Sequence, residues 1–316
     1  MSTIETTKRT TCRLCGSSRL QEVFSLGDQY INDFVPPDRV GKGLRAPLEM
    51  VMCGNCSLLQ LRHTAPQELL YSRFYWYRSG VTDTMRRALR DITSEIEAMA
   101  ELAPGDVVLD IGANDGTMLA SYAVPGIRRV GCEPANNLVE MLRKNTDYVM
   151  HDFWDYERYM ALARKWGFGK AKVITAIGMF YDLEDPNKFI RDACLALADD
   201  GIFVAQLMCL KPMLENNDVG NICHEHLEYY SLDSLRYLFE SNGLEMFRIE
   251  ENDVNGGSYR IFARHYHGTG IPYDEKITLE DIRAFAERVE ENRRRCVDFI
   301  RNEVARGKRV YVYGAS

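Results

Sequence analysis

Residues 107–119, VVLDIGANDGTML, constrain the fold more than any other stretch of this chain. An apolar run ends on Asp110, and Gly112 and Gly116 then turn the backbone. The expected order is a buried strand, a glycine-bearing turn and the start of a helix. RRVGCEP reads as a second strand ending in Glu133, and NNLVEMLRKN as a second helix. YVMHDFW, KVITAIGMFY and GIFVAQLMCL read as further strands, with helical patterns between some of them. Strands alternating with helices predict an α/β fold with a mostly parallel sheet wrapped on both faces. Ahead of the turn, VTDTMRRALRDITSEIEAMAEL spaces Met85, Leu89, Ile92, Ile96 and Met99 by three and four residues. This predicts an amphipathic helix, ended by Pro104-Gly105.

In such sheets ligands bind beyond the carboxyl ends of the strands. The turn Asp110-Ile111-Gly112-Ala113-Asn114-Asp115-Gly116 is not the GxGxxG of dinucleotide enzymes. An acid closing the strand hurts a pyrophosphate and favours a ligand carrying an ammonium or sulfonium centre. DxGxxxG, with an acid ending the next strand, resembles motif I and its partner in class I S-adenosylmethionine methyltransferases. The resemblance implies their Rossmann-like fold and S-adenosylmethionine as cofactor, held by Asp110, Gly112, Asn114, Gly116, Glu133 and Asp152. In it Gly112 lets the cofactor lie against the backbone, Glu133 bonds the ribose hydroxyls and Asp152 sits near the adenine.

The first 75 residues carry CRLC at Cys12 and Cys15 and CGNC at Cys53 and Cys56. Two such pairs fit a tetrahedral zinc held by four thiolates, and a set of four cysteines leaves no open position for a substrate. A structural zinc is therefore expected, in a segment too small to be stable on its own core. Gly16 and Gly54 ease the tight backbone around it. A net charge of −7 argues against nucleic acid as a partner. No apolar run approaches the roughly 18 residues of a membrane helix. MSTIETTKRTT has no signal-peptide core, so a cytoplasmic location is expected, with the nine cysteines reduced. Without heptads, a monomer is expected.

NICHEHLEYYS, residues 221–231, gathers two histidines, a glutamate and a cysteine. A metal site is disfavoured, since ligands from consecutive residues rarely close a tetrahedron and extended His224 and His226 point to opposite faces. A polar turn with satisfied histidines and an acid/base site remain. The CxxC/CxxC head, DIGANDG, HEHLEYYSL and NGGSYR together resemble the zinc-binding C-methyltransferases of deoxysugar biosynthesis, across essentially the whole chain. The resemblance implies a nucleotide-linked 4-keto sugar as acceptor and an enolate route, with His226 as base and Glu225 beside it. His224, Tyr77 and Tyr181 complete the candidate catalytic set. Phe74-Tyr75-Trp76-Tyr77-Arg78-Ser79 resembles the family's YxYHS segment, whose tyrosines hold the sugar or donate to the developing oxyanion.

Three positions depart from that family. Cys223 stands for a tyrosine, Tyr181 or a neighbour for a histidine after the fourth core strand, and Arg78 for a second histidine. These changes leave methylation of an oxygen or nitrogen on a related sugar or small polar acceptor as an alternative. A zinc-stabilised, non-catalytic cofactor-binding module is the alternative of another class. LEDIRAFAERVEENRRRCVDFIRNEV predicts a long helix with Ile282, Phe285, Val289, Cys296, Phe299 and Val304 mostly on one face. KRVYVYGAS then looks like the first strand and turn of another α/β unit. The expected division is a zinc lobe at 1–75, a methyltransferase domain at 76–265, and the start of a truncated C-terminal unit at 266–316.

Overall fold

The computed structural model describes residues 4–31, 37–39, 41–72, 75–273 and 275–311. Seven strands form the main sheet, in the spatial order Leu244–Asn252, Ser258–His265, Leu197–Met208, Ala171–Ile177, Val107–Ile111, Arg128–Cys132, Tyr148–Met150. The last five of these pair in parallel, and Ser258–His265 is antiparallel to both its neighbours. The order reverses at Val107–Ile111, so the crevice beyond its carboxyl end is a topological switch point. All five residues of that strand are buried, as a strand covered on both faces requires. This is the Rossmann-like class I methyltransferase sheet. The antiparallel edge hairpin went unassigned from sequence, because charges in LEMFRIEEN and SYRIFARH blur the period-two pattern.

Asp83–Ala100 forms the expected amphipathic helix, with the Thr82 hydroxyl accepting from the Met85 N–H at its start. It buries Leu89, Ile92 and Ile96 on one face of the sheet, in a cluster with Val108, Met118 and Leu119. No α-helix starts after the glycine turn; the expected one is replaced by turns and a short 3₁₀ segment, Leu119–Ser121. Pro125 leaves little room for a longer helix, and the adjacent sheet face is already covered by Asp83–Ala100. Glu97 of that helix accepts the Ala123 and Val124 N–H groups at 2.6 and 3.0 Å, so the replacing loop is tied to it.

The N-terminal lobe has a four-stranded sheet in the order Glu228–Tyr229, Leu59–Leu61, Arg45–Cys53, Leu20–Tyr30. Its edge strand comes from beyond residue 220, so the HEHLEYY segment is shared between the two lobes. The helix Leu279–Ala305 also packs here, burying Ile282 and Phe285, with the Phe285 ring 5.8 Å from Phe24. Cys296, Phe299 and Val304, expected on the same face as these, are exposed. Of the expected strand, residues 308–311 are irregular, and the rest of it with the turn, residues 312–316, lies outside the described residues. Among the described residues no helix is long and apolar enough to cross a membrane.

Candidate active site

Each CxxC is closed by the same local geometry. Gly16 N–H bonds Cys12 O at 3.0 Å and Cys12 N–H bonds Ser17 O at 2.9 Å; Ser57 N–H bonds Cys53 O at 3.1 Å and Cys53 N–H bonds Leu58 O at 2.9 Å. The residue after each second cysteine is left-handed, with φ +68° at Gly16 and +60° at Ser57. Ser57, and not Gly54, therefore carries the strained position of the second knuckle. The four sulfurs lie within 4.8 Å of one another, and Cys12–Cys56 and Cys15–Cys53 are each 3.5 Å apart. A tetrahedron of Zn–S bonds of about 2.3 Å needs S···S edges of about 3.8 Å. The cluster fits zinc in a closed structural site.

This knuckle is bolted to the loop and helix that follow the strand Ala171–Ile177. Arg13, between the first two cysteines, has no exposed side-chain surface. It donates to Leu61 O at 2.6 Å, Gln60 Oε1 at 3.1 Å and Thr64 Oγ1 at 2.7 Å, and lies 3.5 Å from both Glu184 and Glu228. Burial outweighs that arginine at Glu228 and holds its carboxyl well above the ordinary range. Asn187 Nδ2 donates to Arg13 O and Leu14 O at 2.9 and 2.8 Å. The metal lobe thus fixes residues 182–188, which form one wall of the main cavity.

That cavity encloses 870 Å³ at the carboxyl ends of the central strands, within the range of small-molecule sites. Gly112, Asn114 and Glu133 line one side of it. Gly112 has φ +73°, and a Cβ there would stand 2.8 Å from Met179 Cγ, so only glycine fits. Glu133 Oε2 accepts from Asn114 N–H and Oε1 from Ala135 N–H, each at 2.8 Å. Each oxygen keeps a free lone pair for a ribose hydroxyl. Burial raises the Glu133 pKa, opposed by those two amides. Asn114 has φ +52°; its Oδ1 accepts from Ser79 and Asp115 N–H, and its Nδ2 donates to Tyr77 O. It therefore pins the aromatic segment over the turn and is not free to bind a ligand fully.

Asp110, Gly116 and Asp152 do not line the cavity. Asp110 is buried under the turn and accepts from Thr175 Oγ1 at 2.6 Å, and burial pushes its pKa up to about 7. Gly116 has φ +79° and packs on Leu142 and Asn145, so its role is the turn. Asp152 pairs with Arg158, while Phe153 and Trp154 face the cavity in its place. Sequence reasoning passed over Asp115 and Asn137, which staple the aromatic segment. Asp115 Oδ2 accepts from Gly80 N–H at 2.9 Å, and Asn137 exchanges a pair of bonds with the Tyr75 backbone at 2.9 and 3.0 Å. Phe74, at the head of that segment, lies outside the described residues.

His226 also lines the cavity and donates from Nδ1 to Asn221 O at 2.7 Å, which fixes the tautomer with Nε2 unprotonated. Among the described residues no group bonds Nε2. Burial lowers the His226 pKa, opposed by the Asn221 carbonyl and Glu225. Tyr181 sets its ring edge-on to the imidazole, 4.5 Å between centroids, and spends its hydroxyl on Gly178 O at 3.0 Å. Tyr77 lines the mouth, half exposed. Arg78, beside it, is exposed.

Two members of the candidate catalytic set are elsewhere. His224 is buried away from the cavity, with Nε2 bonded to Ala46 O at 2.9 Å across to the N-terminal lobe. Glu225 does not line the cavity and does not orient the His226 ring; the Asn221 carbonyl does. Asp182, not singled out from sequence, faces the cavity.

The family model for a methyltransferase domain matches residues 82–249, more than half of the chain. The chain belongs to the S-adenosylmethionine-dependent methyltransferases. A second model, described as a zinc binding domain, matches residues 12–71. The methyltransferase is 29% identical over 318 residues to the C-methyltransferase NovU of Streptomyces niveus, covering 96% of this chain and 75% of that one. The solved magnesium protoporphyrin IX methyltransferase ChlM of Synechocystis PCC 6803 superposes with a TM-score of 0.45 at 14% identity, over 60% of this chain and 90% of that one. A Clostridium acetobutylicum S-adenosylmethionine-dependent methyltransferase gives a TM-score of 0.45 at 10% identity, over 57% and 92%.

Proposed function

We propose that this methyltransferase places the methyl group on carbon, on a nucleotide-linked 4-keto deoxysugar, with His226 as the general base. The observation that carries the reading is the free Nε2 of a neutral, tautomer-locked imidazole in the cavity that also holds Gly112 and Glu133. The 29% identity with a C-methyltransferase over nearly the whole chain supports the same reaction class. Bound S-adenosylmethionine supplies an electrophilic methyl group on sulfur. Glu133 holds its ribose, and Gly112 gives it access to the backbone. His226 Nε2 takes the proton from the carbon beside the ketone, and the C–H electron pair passes into an enolate. Burial keeps the imidazole neutral, and therefore basic, at neutral pH. General-base help of this kind contributes about 10² to 10⁴ in rate. Tyr181 shapes the pocket around the ring, and Tyr77 closes the mouth over the acceptor. In this reading residues 1–75 hold the acceptor wall in place and 76–265 carry the chemistry.

The test is methyl transfer from cofactor labelled in its methyl group to a panel of nucleotide-linked 4-keto sugars, with the product solved by NMR. A new C–CH₃ bond beside the carbonyl is expected. A methyl on oxygen or nitrogen, or no transfer to any keto sugar, contradicts the reading.

A further inference from the structure

Five carboxyl side chains line the cavity: Glu133, Asp182, Glu184, Asp185 and Asp192. Four of them are committed to protein partners. Glu133 takes two backbone amides, and Glu184 takes Arg9 at 2.7 Å and the Thr64 hydroxyl at 2.7 Å. Asp185 caps the helix Pro186–Ala196 through Lys188 N–H, and Asp192 pairs with Lys188. Asp182 differs. It is 8% exposed, its Oδ1 has no hydrogen-bond partner, and no cation pairs with it among the described residues. An unmet buried carboxyl costs about 1–3 kcal/mol, and a structure retains such a group where a ligand completes it. Its neighbour Tyr181 lies against His226, and Asp182 and His226 line one cavity.

The surroundings decide which form Asp182 takes. Burial and the nearby carboxyls of Glu228 and Glu225 push its pKa well above the ordinary range, partly offset by the neighbouring Tyr71 hydroxyl, which itself donates to Glu225 O at 2.8 Å. A carboxyl kept neutral is a donor, and its complement is an oxygen that gains negative charge.

We propose that Asp182 is a catalytic hydrogen-bond donor to the carbonyl oxygen of the acceptor, stabilising the charge that forms there as His226 removes the adjacent proton. The proposal rests on the enolate reading above. The C–H bond breaks, the N–H bond forms on His226 Nε2, and the electron pair settles on the oxygen facing Asp182. Asp182 keeps its proton, so the step balances without a further reactant. Such a donor, preorganised in a dry site, is worth about 10²–10³ in rate.

The experiment measures solvent-deuterium exchange beside the ketone and steady-state methyl transfer, on nucleotide-linked 4-keto sugars. It compares wild type, Asp182→Leu and Asp182→Asn at neutral pH. Asp182→Leu is expected to slow exchange and kcat by about 10²–10³ with little change in KM. Asp182→Asn, which keeps an N–H donor, is expected to recover most of that loss. An Asp182→Asn variant as slow as Asp182→Leu, with raised KM in both, would mean an ionised carboxylate gripping a cationic acceptor, and would overturn the proposal. Undiminished exchange in Asp182→Leu overturns it alone. No exchange in wild type on any keto sugar overturns the enolate reading and this proposal with it. Unchanged cofactor affinity in both variants checks that they fold.

Discussion

Replacing Arg13 by methionine tests the coupling between the zinc lobe and the catalytic domain. The guanidinium is fully buried, satisfies Gln60, Leu61 and Thr64, and lies 3.5 Å from Glu184 and Glu228. Methionine fills much of the space but removes the guanidinium's hydrogen bonds to Gln60, Leu61 and Thr64 and takes the nearest cation from the buried Glu228. Removing one partner of a buried ion pair costs about 3–5 kcal/mol, and the same range is expected here. Glu228 already has a raised folded-state pKa, and losing Arg13 raises it further. A carboxyl raised on folding binds more protons in the folded state, so its contribution is present at low pH and lost as pH rises. The deficit of Arg13→Met should therefore be smaller at pH 5 than at pH 8. Urea unfolding of zinc-loaded protein at both pH values measures it, and acceptor turnover should fall while cofactor affinity holds. A deficit below about 1 kcal/mol at both pH values would be the size of a surface ion pair, and would refute a bolted joint.

Chelating the zinc should cost stability on the order of 10 kcal/mol in the N-terminal lobe, read as loss of cooperative unfolding, with acceptor turnover lost before cofactor binding. Gly112→Ala should raise the cofactor Kd by about tenfold or more. A left-handed alanine costs about 1–2 kcal/mol, and its Cβ meets Met179 Cγ at 2.8 Å; calorimetric titration checks it. The acid limb of kcat/KM should have its midpoint below the ordinary histidine value of 6.5, since burial lowers the His226 pKa. The rate rises with pH as Nε2 is freed and is level by neutral pH; a midpoint above 6.5 would assign the limb to another group.

What the sequence made legible was local. The two CxxC pairs are each one turn, and a strand, a glycine turn and an acid on the next strand are neighbours in the chain. The structure gathers the four cysteines into one cluster and sets Gly112 and Glu133 on one cavity. The alternation of HEH also separated His226 from His224, although both entered the candidate set. One faces the cavity and the other bonds Ala46 in the N-terminal lobe. What stayed hidden depends on partners far along the chain. Glu228–Tyr229 joins the zinc-lobe sheet, Asn137 staples the Tyr75 backbone, and the buried Asp182 Oδ1 is left without a hydrogen-bond partner. No window around FYDLEDP reveals which of its carboxyls lacks a partner. The helix expected after Gly116 failed for a similar reason, since its place on the sheet belongs to a helix that precedes the turn.

The most direct measurement of the central claim follows deuterium from solvent into the carbon beside the ketone of a nucleotide-linked 4-keto sugar, for wild type and His226→Asn. Wild type should incorporate deuterium, and the variant should lose that exchange by about 10² to 10⁴ while binding S-adenosylmethionine unchanged. Equal exchange in the two proteins would contradict His226 as the base.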